Sequence, residues 1–351
     1  MSTIPSSQAE RLDPRITIPR PAVDPLLAPT LDAMTFPEKL DLNVLRSIFN
    51  GDEGTPYVFN AEVILKERPH LKHTEHSFPG PDGNAIVLSV FAPEHPTSDT
   101  LPAMYHIHGG GQVAGNRFTG LSAAMNHLDG TESVVVSVEY RLSPETRAPG
   151  AAEDCYAGLV WTSQHAKVLG IDPERIIVFG VSGGGPLAAV TCLMARDKQT
   201  PVIPIRGQML STPMLDDRCE SLSDKQFEYG TLWTGVTNRM AWDCVLGDDR
   251  GTYAVTPYQA PARAIDLSAL PPAYIDAGEC EAFRNPAVFY ALNMWRSGSR
   301  CELHVWPGAF HAFDMLGDSK LPIVRSSNAA KANWFRRTLG FEDTGPVTAV
   351  L

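Results

Sequence analysis

The sequence predicts an α/β fold in which a mostly parallel sheet is covered by helices on both faces, and three observations lead there. From about residue 76 to 340 short apolar runs alternate with helical segments, the pattern of βαβ units whose crossover helices bury both sides of a sheet. One run, Ile176 to Val181, leads through Gly180-Val181-Ser182-Gly183-Gly184 into an apolar helical stretch, a strand-turn-helix that lifts a serine above the sheet. The composition supports a sizeable core: of 351 residues 43% are hydrophobic and 20% charged, which excludes a disordered, collagenous or coiled-coil chain.

The elements follow in order. Residues 1 to about 30 hold Pro5, Pro14, Pro19, Pro21, Pro25 and Pro29, which fix φ and delete backbone donors, so an extended arm is expected. Thr35, Pro37 and Glu38 then form a capping box before Leu40, Val44, Leu45, Ile48 and Phe49 at helical spacing, with Gly51 as the stop. Strands are expected at Ile86 to Phe91, Ala103 to Ile107, Val134 to Val138, Ile176 to Val181, Ile203 to Leu210, Ala273 to Ala277 and Leu303 to Trp306. Helices are expected at Ala151 to Leu169, Pro186 to Arg196, Asn285 to Arg296 and Ser326 to Leu339. Residues 213–262 break the rhythm. They are rich in aromatics and Met (Met214, Phe227, Tyr229, Trp233, Met240, Trp242, Tyr253) without a clear strand, and read as an inserted lid. The expected organisation is an arm and cap segment over 1–75, core over 76–212, a cap insertion over 213–262 and core again over 263–351.

Charge and cysteine usage narrow the classes. Lys and Arg total 29 against 40 Asp and Glu, a net charge of -11, so the summed field repels phosphate backbones and anionic lipid. This argues against a nucleic-acid partner. Cys155, Cys192, Cys219, Cys244, Cys280 and Cys301 contain no C-x-x-C pair, so reduced thiols are expected. With no signal-peptide h-region and no apolar stretch of about 18 residues, a soluble cytoplasmic protein without membrane insertion is expected.

The residues that carry chemistry cluster at strand ends. Ser182 is the candidate nucleophile, because the tight turn of an elbow needs small residues on both sides and has Gly180 and Gly184 there. Tyr105-His106-Ile107-His108-Gly109-Gly110-Gly111 ends another strand in an H-G-G-G loop. Such a loop offers backbone N–H groups to an oxyanion, each lowering the barrier by about 3 to 4 kcal/mol. Gly110, Gly111 and Gly183 are the candidate donors. A dinucleotide loop also fits Gly109, Gly111 and Ala114, or Gly183, Gly185 and Ala188, but no Asp or Glu ends the strand after the second fit.

In this sheet architecture the base follows the nucleophile and the acid lies between them. His311, in Trp306-Pro307-Gly308-Ala309-Phe310-His311, comes directly after a strand, whereas His304 lies inside it. Asp276, Glu279 and Glu281 stand near the end of the preceding strand, and any of them could orient the imidazole. For zinc, His106-x-His108 is followed by glycines where an Asp-His pair would be needed, and His70, His73 and His76 read as a solvated surface. No metal site is expected.

The stretch from about 75 to 340 resembles the hormone-sensitive-lipase family of α/β-hydrolases. Beside H-G-G-G and the elbow, Tyr140-Arg141-Leu142-Ser143-Pro144-Glu145 is similar to the family's Y-R-L-A-P-E. Glu153-Asp154-Cys155 followed by Trp161 is similar to its D-x-x-x-x-x-x-W helix. Gly278-Glu279-x-Glu281-x-Phe283-Arg284 lies where the family has G-x-x-D-x-L-R-D, so the resemblance puts Glu281 on the acid, with Glu279 and Asp276 remaining open. Val181 and Gly183 stand where many members have G-D-S-A-G.

The resemblance implies an α/β-hydrolase fold with a helical cap and a carboxylic ester hydrolase. Ser182 would act as nucleophile, His311 as base and Glu281 as acid on short to medium acyl esters, with no metal or organic cofactor. The partner is a small-molecule ester, and a homodimer is left open. Lactonase, amidase or dehydratase chemistry uses the same site. The gibberellin receptors, also similar to this family, lack the histidine that His311 retains.

Overall fold

The central apolar runs become strands because both of their faces are buried. Every residue of Leu101–Ile107 and Ala273–Gly278 is buried, as sheets flanked by helices require. The computed structural model describes residues 18–34, 41–50 and 58–341. Its strands are β1 Leu71–Pro79, β2 Ala85–Pro93, β3 Leu101–Ile107, β4 Val134–Glu139, β5 Ile171–Val181, β6 Gly207–Ser211, β7 Ala273–Gly278 and β8 Cys301–Trp306. They form one sheet in the order β1-β2-β4-β3-β5-β6-β7-β8. Only β2 runs antiparallel to its neighbours.

The helices are α1 Ala28–Ala33, α2 Leu42–Asn50, α3 Ala61–Glu67, α4 Leu121–Met125, α5 Gly150–Gln164, α6 Ala166–Leu169, α7 Gly184–Lys198, α8 Leu222–Gln226, α9 Gly235–Leu246, α10 Arg284–Arg296, α11 Phe313–Leu316 and α12 Pro322–Leu339. Side-chain alternation along the strands assigns them to two faces. Tyr105, Val178 and Ile275 meet Leu159 of α5, Leu187 of α7 and Tyr290 of α10. Their neighbours Met104, Ile177, Phe179 and Tyr274 meet Trp334 and Phe335 of α12 on the other face.

The register sets where the chemistry can be. Ile107 pairs with Gly180, Val181 with Ser211, Ser211 with Asp276 and Gly278 with Trp306. The carboxyl ends of β3, β5, β6, β7 and β8 are therefore level, and the loops that follow them share one edge, where open α/β sheets bind ligands.

The structure departs from the expected elements at β1, β5, β6 and the helix after β4. β5 begins at Ile171 rather than Ile176, and β6 begins at Gly207 rather than Ile203, where Pro204 supplies no backbone donor. β1 begins at Leu71, ahead of the expected change of pattern, because its polar face is exposed and leaves only alternate half-buried positions to read. His73 and His76 are correspondingly not free surface groups: they lie on β1, with His73 stacked on Phe91 at 4.6 Å and His76 against Trp161 at 5.2 Å. The helix expected over Ala151 to Leu169 breaks at His165, whose ring stacks on Trp161 at 4.0 Å and whose Nδ1 meets the Trp161 carbonyl at 2.8 Å. The capping box at Thr35 to Glu38, Leu40, Gly51 and most of the proline-rich arm lie outside the described residues.

Among the described residues 213–262 contain α8 and α9 and no strand. Ser221 and Asp224 cap α8 reciprocally and Thr234 caps α9. The buried face of α9, with Ala241, Trp242 and Val245, joins Leu45 of α2, Val113 and Phe283 in one apolar cluster above the sheet edge. Among the described residues no helix is long and apolar enough to cross a membrane.

Candidate active site

At the end of β5 the chain turns so sharply that Ser182 adopts φ +55°, a left-handed conformation that non-glycine residues rarely hold without a reason. The turn exists because Gly184 has no side chain. A Cβ there would lie 2.2 Å from the Ile107 carbonyl oxygen and 2.4 Å from that of His108. The Ser182 N–H donates to the Ser211 carbonyl at 2.9 Å, and its own carbonyl accepts from Gly185 at 3.0 Å and Met214 at 3.1 Å. These bonds stabilise the strained residue at the head of α7.

Ser182 Oγ lies 2.9 Å from His311 Nε2, and His311 Nδ1 lies 2.5 Å from Glu281 Oε2. Glu281 is fully buried, and its other oxygen accepts the Gly278 N–H at 2.5 Å. The other two carboxylates near the end of β7 are engaged elsewhere. Glu279 Oε2 accepts the Gly308 N–H at 2.8 Å, while Asp276 Oδ2 accepts Trp306 Nε1–H at 3.1 Å and pairs with Lys331 at 2.9 Å. The longer reach of a glutamate meets the imidazole because the Cys280 N–H is tied to the Ala309 carbonyl at 2.8 Å, which sets the two loops side by side.

The H-G-G-G loop lies against the elbow. A Cβ on Gly183 would fall 2.4 Å from Gly111 N, and one on Gly109 would fall 3.4 Å from Ser182 Cβ. Gly111 itself has φ +62°, open to glycine at little cost. Among the described residues no protein acceptor takes the N–H of Gly110, Gly111 or Gly183. The loop is held from below. Tyr140 stacks on His108 at 4.1 Å and donates to its carbonyl at 2.9 Å, and the His108 Nδ1 meets the Gly109 carbonyl at 2.7 Å. Burial pushes the imidazoles of His106 and His108 down to about 3 and about 4, so both are neutral supports. Among the described residues no group of three or more His, Cys, Asp or Glu side chains is arranged to hold a metal ion.

Three residues at this edge were not distinguishable in the sequence. The Trp233 ring sits over Gly111, where a Cβ would come within 2.5 Å of it, and lies 6.3 Å from the His311 ring. Phe283 meets the same imidazole edge-on at 5.1 Å. Arg46 of α2 donates to the Val113 carbonyl at 2.9 Å and the Ser143 carbonyl at 3.0 Å, and pairs with Glu145 at 2.6 Å. Trp233 was one of many aromatics in the insertion, and no spacing rule ties residue 46 to residue 113.

This arrangement can pass a proton from a hydroxyl to an imidazole oriented by a carboxylate, beside unpaired backbone donors. The profile of the alpha/beta hydrolase fold family matches residues 104–315. The chain belongs to the α/β-hydrolase family. This hydrolase is 32% identical over 302 residues to the carboxylesterase NlhH of Mycobacterium tuberculosis, across 85% of its own length and 90% of that protein. It is 30% identical over 287 residues to the esterase LipI of the same organism, across 81% and 86%. Among solved structures, a bacterial heroin esterase superposes with TM-score 0.79 at 32% identity, covering 90% of the hydrolase and 98% of that chain. The hydrolase is of the hormone-sensitive-lipase type, a serine ester hydrolase.

Proposed function

We propose that this hydrolase cleaves carboxylic esters of short to medium acyl length with Ser182 as nucleophile, His311 as general base and Glu281 as the orienting acid. The observation that carries the reading is the continuous contact from Ser182 Oγ through both ring nitrogens of His311 to Glu281. Glu281, an acceptor, places the imidazole proton on Nδ1 and leaves the Nε2 lone pair to take the Ser182 proton. Ser182 Oγ then attacks the ester carbonyl. The resulting oxyanion is stabilised by the N–H groups of Gly110, Gly111 and Gly183, the last at the positive end of α7. Imidazolium returns its proton to the leaving alcohol, and water, deprotonated by the same nitrogen, releases the acid from Ser182.

The acyl-length reading is supported by the crowding above the loop. Ser182 is 8% exposed and His311 4%, and Trp233 and Phe283 stand over them as apolar walls. In this reading the cap draws on the described residues ahead of β1 and on 213–262, with α2 and α9 sharing a core above the sheet edge. A panel of p-nitrophenyl esters from acetate to palmitate tests it. Turnover is expected to be greatest on the short and medium members, and Ser182→Ala is expected to lose about 10⁴-fold or more. Near wild-type esterase turnover in Ser182→Ala would overturn the mechanism, and a preference for palmitate would overturn the acyl-length reading.

A further inference from the structure

Beneath the two loops that meet at His311 lies a charged cluster that the reaction does not use. Lys331 of α12 is fully buried, with its ammonium 2.9 Å from Asp276 Oδ2, bonded also to Asp314 Oδ2, and 3.5 Å from Ser327 Oγ. Asp276 Oδ2 additionally accepts the indole N–H of Trp306 at 3.1 Å. Burial alone would push the Lys331 ammonium toward neutrality, but the two carboxylates raise it above its ordinary value. Burial would raise the Asp314 carboxyl, but the Lys331 charge holds it below its ordinary range. The neighbouring His127 is pushed by burial down to about 3, so it brings no charge.

The positions of these residues along the chain give the cluster its meaning. Trp306 ends β8 and Asp314 lies in α11, so they stand at the entrance and the exit of the loop that carries His311. Both ends of that loop are therefore tied to one carboxylate, at the entrance by the Trp306 N–H and at the exit through Lys331. That carboxylate belongs to Asp276 on β7, the strand that runs into the Glu281 loop. The Asp276 carbonyl also accepts the Thr212 N–H at 2.9 Å, next to Ser211, whose carbonyl accepts the Ser182 N–H at 2.9 Å.

A buried ion cluster is a poor source of net stability, because desolvation opposes most of the attraction, but its directed bonds are geometrically exacting. We propose that Lys331 is a positioning residue that clamps the His311 loop at both its ends, through Trp306, Asp276 and Asp314, onto the strand that leads to Glu281. The inference rests on reading Ser182, His311 and Glu281 as the reacting groups. Placement errors of about 1 Å at such groups cost on the order of a hundredfold in rate.

Two variants separate a clamp from a merely structural charge cluster. Lys331→Met removes the ammonium and leaves two buried carboxylates, while the combination Asp276→Asn, Asp314→Asn and Lys331→Met removes every charge. Folded fraction is read by circular dichroism, and kcat and KM on p-nitrophenyl butyrate well below the melting transition. Lys331→Met is expected to lower kcat by about tenfold to a hundredfold with KM changed less than about threefold. The neutral combination is expected to recover melting temperature but not kcat. Wild-type kcat in either variant, folded, would overturn the clamp. Where neither folds, Asp314→Asn, which keeps the Asp276–Lys331 pair, decides: a folded protein with lowered kcat supports the clamp and unchanged kcat overturns it. Ser182→Ala, measured in parallel, isolates the underlying reading, since retained activity there overturns the site itself, and the clamp with it.

Discussion

Replacing Glu281 by Gln tests the least obvious member of the site, and the geometry allows its effect to be worked out. One Glu281 oxygen faces the Gly278 N–H and the other faces His311 Nδ1, each at 2.5 Å. An amide has one acceptor end and one donor end. Because the Gly278 N–H can only donate, the glutamine oxygen takes that side and its NH₂ faces His311. The imidazole then carries its proton on Nε2, toward Ser182, and cannot act as base. Turning the amide to restore the active tautomer would set NH₂ against the Gly278 N–H and leave a buried donor unsatisfied, a cost of about 1 to 3 kcal/mol. The imidazolium formed in the transition state would also lose a charge-assisted hydrogen bond, about 1.5 to 3 kcal/mol. Together these amount to about 2.5 to 6 kcal/mol, or roughly a hundredfold to ten-thousandfold in turnover, with the upper end matching the effect in the serine-protease template. The assay is kcat on p-nitrophenyl butyrate, with the melting temperature as control for folding. A folded Glu281→Gln enzyme within about fivefold of wild type would refute the reasoning.

Gly111→Ala would place a methyl group 2.5 Å from the Trp233 ring at a φ of +62°. It is expected to lower kcat by about a hundredfold through displacement of an oxyanion donor, with a melting temperature lower by about 2 to 4 °C, and a wild-type kcat would remove Gly111 from the donor set. His106, His108 and His127 are pushed by burial from 6.5 down to about 3, about 4 and about 3. Since the unfolded chain takes up these protons first, stability is full above about pH 6.5 and declines as pH falls through the folded values, by about 2 kcal/mol per imidazole at pH 5. Urea unfolding at pH 7.5 and pH 5 measures this, and equal stability at the two would contradict neutral burial.

The sequence by itself determined the sheet and its motifs, because both are local. Runs such as Ile176 to Val181 are apolar on both faces, and a serine between Gly180 and Gly184 after such a run has few other uses. The order of Ser182, a carboxylate and His311 along the chain followed from the same architecture. β1 escaped because a half-exposed edge strand carries a weaker pattern than a buried one, and the helix break at His165 escaped because it comes from that ring's contact with Trp161.

Tertiary structure decided what depends on contacts between distant segments. Three carboxylates, Asp276 in β7 and Glu279 and Glu281 just after it, stand within a few residues, and spacing cannot say which one faces His311. The level ends of β7 and β8 and the bond from Cys280 to Ala309 bring Glu281 to the imidazole and send Asp276 to Lys331 and Glu279 to Gly308. Trp233 over Gly111, and Arg46 on the Val113 carbonyl, are likewise products of docking helices that lie far from the loop in sequence. Periodicity reports which face of an element is buried, but only the packed sheet says which side chains meet there.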